Sequence, residues 1–515
     1  MKKLGLALLS VLLLSACGNA SASASSDSAS ATAAVQTVSA AAEVPDTVRT
    51  VMGSEPDSLD PFQSAASDTE AVMLNVFDGL VRFDSEGKII PGIAESWDIS
   101  EDGLTYTFHL RNDVKFHNGN ACTSKDVLYT YQKLSGMNSG GEAISSKFST
   151  ITDLEAPDDK TVVMTISQRN ASFLELCKIA VVPADYTDQA SAPIGAGPYK
   201  FVEYIPGQKI VLERFDDYYD KDRMPRIRNV EVYIMTDSSS IVQALQSGQI
   251  DYASVGGKNA DVLKDQFDIY SNPQNMVCLL ALNNSVAPLD SKLVRQAITC
   301  AINKQDIING AFDGYGTELY TNFSPVMAFY YNDQLSGIYS YDVDHAKELL
   351  KEAGYENGFD LTITVPGNYQ NHVDTAAIIK EELKEIGINV EINQVEWGTW
   401  LEDVYKGADY EATVIGLTGK LDPNDVLGRY ASDYSRNFFR YSNPDYDAII
   451  KEALEETDED KRAELYKEAQ KILTEDAAAV WTTDPNNVVA CRKDLKGYTA
   501  YPISFMDFSS LYYEE

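Results

Sequence analysis

The chain has 515 residues, a formal net charge of −36 at pH 7 and 44% hydrophobic residues. That apolar content supports packed cores in two or three domains. So strong a negative charge argues against a nucleic-acid partner and against peripheral docking on anionic lipid.

The N-terminus reads as an export signal. Lys2 and Lys3 precede the apolar run "LGLALLSVLLL" (4–14), and "LSACG" (14–18) follows. A charged start, a short apolar stretch and a small-residue cleavage site have the anatomy of a secretory signal, and the run is too short for a mature membrane span. "LSAC" resembles the bacterial lipobox. It implies that residues 1–16 are a signal peptide and that Cys17 is the lipidated first residue of the mature chain. The stretch "ASASASSDSASATAA" (20–34) has nothing to bury, so 17–45 is read as the lipidated cysteine and a flexible tether. Such an anchor would hold the protein outside the cytoplasm, on the outer face of a bacterial cell membrane, without crossing it.

Strands dominate the next part. "LTYTFHL" (104–110) puts Leu104, Tyr106, Phe108 and Leu110 on one face, and "TVVMTI" (161–166), "KIVLERF" (209–215) and "NVEVYI" (229–234) read alike. Helices are expected near 124–134 and 239–247, the second stopped by Gly248. From about 288 the rhythm changes. "LDSKLVRQAITCAI" (289–302) is helical, and "HAKELLKEAG" (345–354) is a helix ended by Gly354. Strand 359–365, helix 375–387, strand 388–395, helix 397–407 and strand 410–417 then alternate, the pattern of a parallel sheet covered by helices. Two acidic helices, about 445–456 and 459–474, follow. The aromatic tail, 488–515, reads as strand and loop returning to the first part. "GLTGKLDPND" (416–425) thus lies at a strand's carboxyl end, where open α/β sheets collect ligands.

A catalytic set is not legible. GxSxG, HExxH, GxxxxGK[ST] and GxGxxG with a following acid do not occur. "GAGPYK" (195–200) reads as a glycine turn without the helix that a phosphate site needs. The four histidines, His109, His117, His345 and His372, are too far apart to share one helical face, and "DPND" lacks the oxygen ligands of a calcium loop. Cys122, Cys177, Cys278, Cys300 and Cys491 form neither a zinc motif nor a dense disulfide framework, which leaves one or two disulfides or buried free thiols. The expectation is a binding protein without cofactor or metal.

At "GIAESWDISEDGLTYTFHLRNDVKFHNGNACTSKDV" (92–127) the chain resembles the family-5 extracellular solute-binding proteins, the dipeptide, oligopeptide and nickel receptors of ABC importers. "GAGPYKF" (195–201), "ALQSGQIDYA" (244–253), "LDSKLVRQAITCAINK" (289–304), "AKELLKEAG" (346–354) and "VEWGTWLEDVYKG" (395–407) follow in the family's order. "NPDYDAIIKEALEETDEDKRAELYKEAQKIL" (443–473) is similar to the dipeptide-binding branch.

The resemblance implies an α/β, two-lobed, type II periplasmic-binding-protein (Venus-flytrap) fold with an extra domain in lobe one. Residues 46–80, 195–285 and 488–515 would form the ligand-facing domain of lobe one, 81–194 the extra domain and 286–487 lobe two, with crossings near 280–286 and 487–490 as the hinge. The implied partners are a peptide or other small solute, an ABC permease and its ATPase, with the protein acting as a monomer. In peptide-binding members the ligand lies extended against lobe one near "GSEPDSLDP" (53–61), which makes Ser54 and Asp57 candidates, and against the strand end of lobe two. His117 in "KFHNG" is expected to hold a tight turn, and Trp397 and Trp400 to line the cleft.

The dipeptide-binding pattern reads approximately G-W-T-G-D-N-G-D-P, whereas this chain reads "GLTGKLDP" (416–423). Gly416, Leu417, Thr418, Gly419, Lys420 and Asp422 are the candidates there. Leu417 stands for the tryptophan, and Lys420 or Gly419 falls where an ammonium-pairing aspartate is expected. Three readings remain: Lys420 favours a carboxylate, Asp422 moves inward as the anchor, or Lys420 is exposed on a rebuilt loop. The leading function is a lipid-anchored peptide receptor for an ABC importer. The rival within the fold is a receptor for a metal chelate, a glycan or a small anion.

Overall fold

The computed structural model describes residues 45–64, 66–137 and 143–514. Cys17, the signal peptide and the stretch 20–34 lie outside the described residues.

One lobe is built on two four-stranded sheets. In the first, the edge strand Thr47–Met52 runs parallel to Asn229–Ile234, followed by Lys209–Arg214 and Tyr199–Ile205, both antiparallel. The second is fully antiparallel, in the order Ala94–Ile99, Thr105–Leu110, Thr161–Ile166, Ile151–Asp158. Alternation explains it: Tyr106, Phe108, Val162 and Met164 are fully buried between half-exposed neighbours. Helix Ser124–Ser135 covers this sheet, starting at a Thr123/Asp126 capping box and ending at left-handed Gly136.

The glycine turn 195–200 is a close approach between backbones. A Cβ on Gly195 would stand 2.1 Å from the Val76 carbonyl oxygen, and one on Gly197 2.5 Å from that of Asn75. His117 locks it: Gly195 N donates to Nδ1 at 3.3 Å and Nε2 donates to the Gly197 carbonyl at 3.0 Å. Burial pushes its pKa down to about 4, so the ring is neutral and fits one donor and one acceptor.

The other lobe holds the expected β-α-β-α-β run. Strands Phe359–Pro366, Ile388–Val395 and Ala412–Thr418 alternate with helix Gln370–Lys384 and the segment 397–406, whose part Trp400–Lys406 is π-helical. Leu361, Ile363, Ile388, Val390 and Val414 pack with Val294, Ile298, Leu350, Ile379 and Leu383 from the covering helices. Each such full burial stabilises by about 1.5–3 kcal/mol.

Strand Ala479–Arg492 joins the lobes. Its first half pairs with Met276–Leu282, and its second half with Phe267–Pro273 and Tyr252–Ser254. Fourteen residues almost all buried leave no period-2 alternation, which is why the pattern placed its start only at 488. Elsewhere the lobes touch directly: Ala171 N donates to the Leu454 carbonyl at 2.9 Å, and Arg462 donates to Ser172 Oγ at 3.0 Å. All five described cysteines are free and buried.

Candidate ligand-binding cleft

The sheet of lobe two contains a topological switch. Ile388–Val395 lies on one side of Phe359–Pro366 and Ala412–Thr418 on the other, so the chain leaving residue 395 crosses over. The 359–366 and 412–418 strands pair only at Ile363–Ala412 and Thr364–Thr413. Their carboxyl ends therefore leave a crevice.

Aromatic and imidazole rings gather there. Tyr369 stands edge-on to Trp397 at 5.4 Å, and Trp397 stacks on Trp400 at 5.2 Å with 5° between planes. Trp400 is buried and donates Nε1–H to Thr413 Oγ1 at 3.0 Å, whereas Tyr369 and Trp397 keep 41% and 36% of their surface exposed. Buried His372 accepts the Gly416 N–H through Nε2 at 3.2 Å. Burial pushes its pKa down to about 4. The neutral ring then carries its proton on Nδ1, which has no hydrogen-bond partner among the described residues.

The loop after the strand is fixed by a second close approach. Gly419 N donates to the Asn275 carbonyl at 2.7 Å, and a Cβ on Gly419 would stand 2.0 Å from Asn275 Oδ1. Asn275, left-handed at φ 58°, donates through Nδ2 to the Pro502 carbonyl at 2.8 Å. Lys420 is exposed, and its charge acts on Glu70 of helix Ser67–Met73 in lobe one. Burial raises the Glu70 carboxyl against the pull of Lys178 and Lys420.

Lobe one and the C-terminal segment line a cavity of about 400 Å³, a size suited to a small ligand, with Gln274, next to Asn275, on its wall. Gly53 at the end of the edge strand, Asp68, Tyr252, Tyr498, Tyr501 and Phe505 are among its walls. A smaller cavity of about 100 Å³ opens between the lobes, lined by Trp97, Glu175, Tyr330, Asp422 and Arg462 among others. Main-chain groups, aromatic rings and carboxylates at these surfaces are equipped for holding a solute.

A family model described as bacterial extracellular solute-binding proteins, family 5 Middle, matches residues 88–438. The chain belongs to the family-5 extracellular solute-binding proteins. Di/tripeptide-binding protein 1 of Pseudomonas aeruginosa is 32% identical over 82% of this chain and 85% of its own length. Heme-binding protein A of Haemophilus influenzae is 30% identical over 84% and 86%. The periplasmic binding protein DppA from Helicobacter pylori, solved in complex with peptide STSA, matches at a TM-score of 0.67 and 28% identity over 92% of this chain and 99% of that one. The mixed α/β, two-lobed architecture is that of family-5 periplasmic binding proteins.

Within this family-5 fold the candidates read from the sequence separate into groups. Gly416, Leu417, Thr418, Gly419 and Lys420 lie together at the strand end, with Trp397 across the crevice and Trp400 packed beneath it. Ser54 donates its hydroxyl to Asp68 Oδ2 at 3.1 Å, next to the large cavity. The Asp57 carboxylate accepts from Ala66 N at 3.0 Å, at the start of helix 67–73, and from Ser64 Oγ at 3.4 Å. Asp422 lies on the smaller cavity, buried, where it caps helix Pro423–Leu427 and pairs with Arg462.

Sequence reasoning missed Asp68 and the rings of Tyr498, Tyr501 and Phe505, whose segment follows no period. Tyr369 and His372 had a signal. They follow the carboxyl end of a readable strand, and the crossover at residue 395 marks that end as a crevice.

Proposed function

We propose that this protein is an extracytoplasmic receptor that binds short peptides between its lobes and delivers them to an ABC importer. The observation that carries the reading is the cavity of about 400 Å³ at the end of edge strand Thr47–Met52, whose wall at Gln274 adjoins Asn275, the residue that holds the loop after strand Ala412–Thr418. Two strand ends offer main-chain donors and acceptors to an extended ligand, which gives affinity while tolerating many side chains. Relatives named di/tripeptide-binding and dipeptide-binding proteins support it. The ligand-contact set comprises Ser54, Trp397 and residues 416–420. Asp57, Trp400 and Asp422 act by holding local structure.

In this reading residues 46–80, 195–285 and 488–515 form the ligand-facing domain, 81–194 the extra domain and 286–487 lobe two. The hinge in this reading is the pair of crossings near 280–286 and 487–490. Closure around a peptide requires that the peptide bind the closed form more tightly. Lipid on Cys17 keeps the monomeric receptor beside its permease. A Cys17→Ser variant released from cells into the medium supports the anchor, and one still membrane-bound refutes it.

A second reading, a non-peptide solute in the same cleft, draws on Lys420 and the exposed Tyr369–Trp397 pair. A thermal-shift screen separates the two. A ligand at about 100 times its Kd stabilises by about 2.7 kcal/mol. Peptides of two to six residues should raise the Tm. No shift with any peptide alongside a shift with heme, a glycan or a small anion transfers the function to that class.

A further inference from the structure

Two carboxylates, Asp68 and Asp507, line the large cavity, and no lysine, arginine or histidine among the described residues lines it. Asp507 is compensated inside the protein. Arg223 Nη2 stands 3.5 Å from its Oδ2, Tyr501 OH donates to Oδ2 at 2.7 Å, and Ser509 donates its N–H and hydroxyl to Oδ1 at 2.9 and 2.5 Å. Asp68 is different. Its Oδ2 accepts from Gly53 N at 3.2 Å and Ser54 Oγ at 3.1 Å, and no ion pair among the described residues reaches it. The two donors hold the carboxylate through Oδ2 on the cavity wall, and no hydrogen bond among the described residues takes up Oδ1.

We propose that Asp68 selects ligands carrying an ammonium group, so that the anchor for a peptide's amino end lies in lobe one and not after the lobe-two strand. The inference rests on the peptide-receptor reading and names the charge of its ligand. The loop after the lobe-two strand presents Lys420, which repels an ammonium, while the cavity in lobe one presents a carboxylate with no cation of its own. A cation entering there meets a partner already oriented by two hydrogen bonds. The bond it makes is charge-assisted, and exclusion of water strengthens it. Besides its own place in the ligand-contact set, Ser54 positions Asp68 through its hydroxyl. The polarity across the cleft is therefore negative in lobe one and positive in lobe two, the arrangement that aligns a zwitterion in one direction.

The test is calorimetry on the full mature chain with trialanine, N-acetyl-trialanine and spermidine. Wild type should bind trialanine at least tenfold more tightly than the acetylated form. Asp68→Asn keeps acceptors for Gly53 and Ser54, so its Tm should stay within a few degrees. It should lose the tenfold preference by weakening trialanine alone. Asp68→Glu should retain the preference. Equal loss for both peptides, or no loss for either, overturns the proposal. If neither trialanine form binds but heme does, the peptide reading fails on its own account. In that case spermidine binding that Asp68→Asn abolishes upholds Asp68, and no spermidine binding overturns it too.

Discussion

Arg462 Nη2 lies 3.1 Å from Asp422 Oδ1 and 3.4 Å from Oδ2, with both side chains almost fully buried. The same guanidinium reaches Ser172 in the other lobe and donates through Nε to the Ala453 carbonyl. Asp422 Oδ1 also accepts Asn424 N at 2.7 Å. Among the described residues each charge is thus paired only with the other, while neutral groups complete the hydrogen bonds of both.

Removing Asp422 would leave a buried, unpaired cation, which costs about 3–5 kcal/mol. Asp422→Ala is expected to lower the unfolding midpoint in urea accordingly, while the folded fraction binds its ligand with unchanged Kd. A loss of affinity with little loss of stability would instead return Asp422 to the role of ligand anchor.

The Asp422 pair also shows where the sequence stops being informative. Periodicity resolved strands such as Thr105–Leu110 and helices such as Glu459–Glu475, because one face of each is buried and the other is wet. It could not show that Arg462, on the face of a readable helix, turns inward to meet Asp422. Only the tertiary structure brings those residues together across 40 positions. The cavity was hidden for a related reason. Tyr498, Tyr501 and Phe505 belong to an irregular segment whose position is fixed by contacts such as the bond from Asn275 to Pro502, not by local propensity. The strand end at 412–418 was legible because it terminates a run of alternating elements. The π-helical turn at Trp400–Lys406 was not, since its composition suits an α-helix equally.

His372 makes the cleft sensitive to acid. Its folded pKa of about 4 lies below the ordinary 6.5. Between those values the unfolded chain binds more protons than the folded one, so stability falls as pH drops from about 6.5 to 4. The loss from this group is at most about 3 kcal/mol. Protonation also removes the Nε2 acceptor from Gly416 N and loosens the strand end. Chemical denaturation at stepped pH should show a shallower acid decline for His372→Gln than for wild type. Identical slopes would exclude His372 from the acid response.

Gly419 tests how tightly the loop is held. A Cβ there has no room against the Asn275 side chain, which is itself tied to Pro502. Gly419→Ala should cost about 1–3 kcal/mol of overpacking and weaken ligand binding as the loop moves away. Asn275→Gly keeps the left-handed backbone and removes the obstacle. The double variant should regain part of what Gly419→Ala loses, measured as a coupling free energy in a double-mutant cycle. Strictly additive losses would exclude the contact as the cause.

Lys420 decides what the lobe-two end of the cleft recognises. Its charge acts on Glu70, so it lies near the facing helix of lobe one, yet it is exposed and no ion pair among the described residues holds it. A ligand carboxylate arriving there would gain a partner that the protein has not already used. An exposed ammonium is screened by salt, so the effect should fall as ionic strength rises. Lys420→Gln should weaken trialanine several-fold at low salt while leaving trialanine amide unchanged, as read by calorimetry at two salt concentrations. Equal affinities of wild type and variant for the acid form would show that Lys420 faces solvent on a rebuilt loop, and the carboxylate end of the ligand would then be recognised by main-chain donors alone.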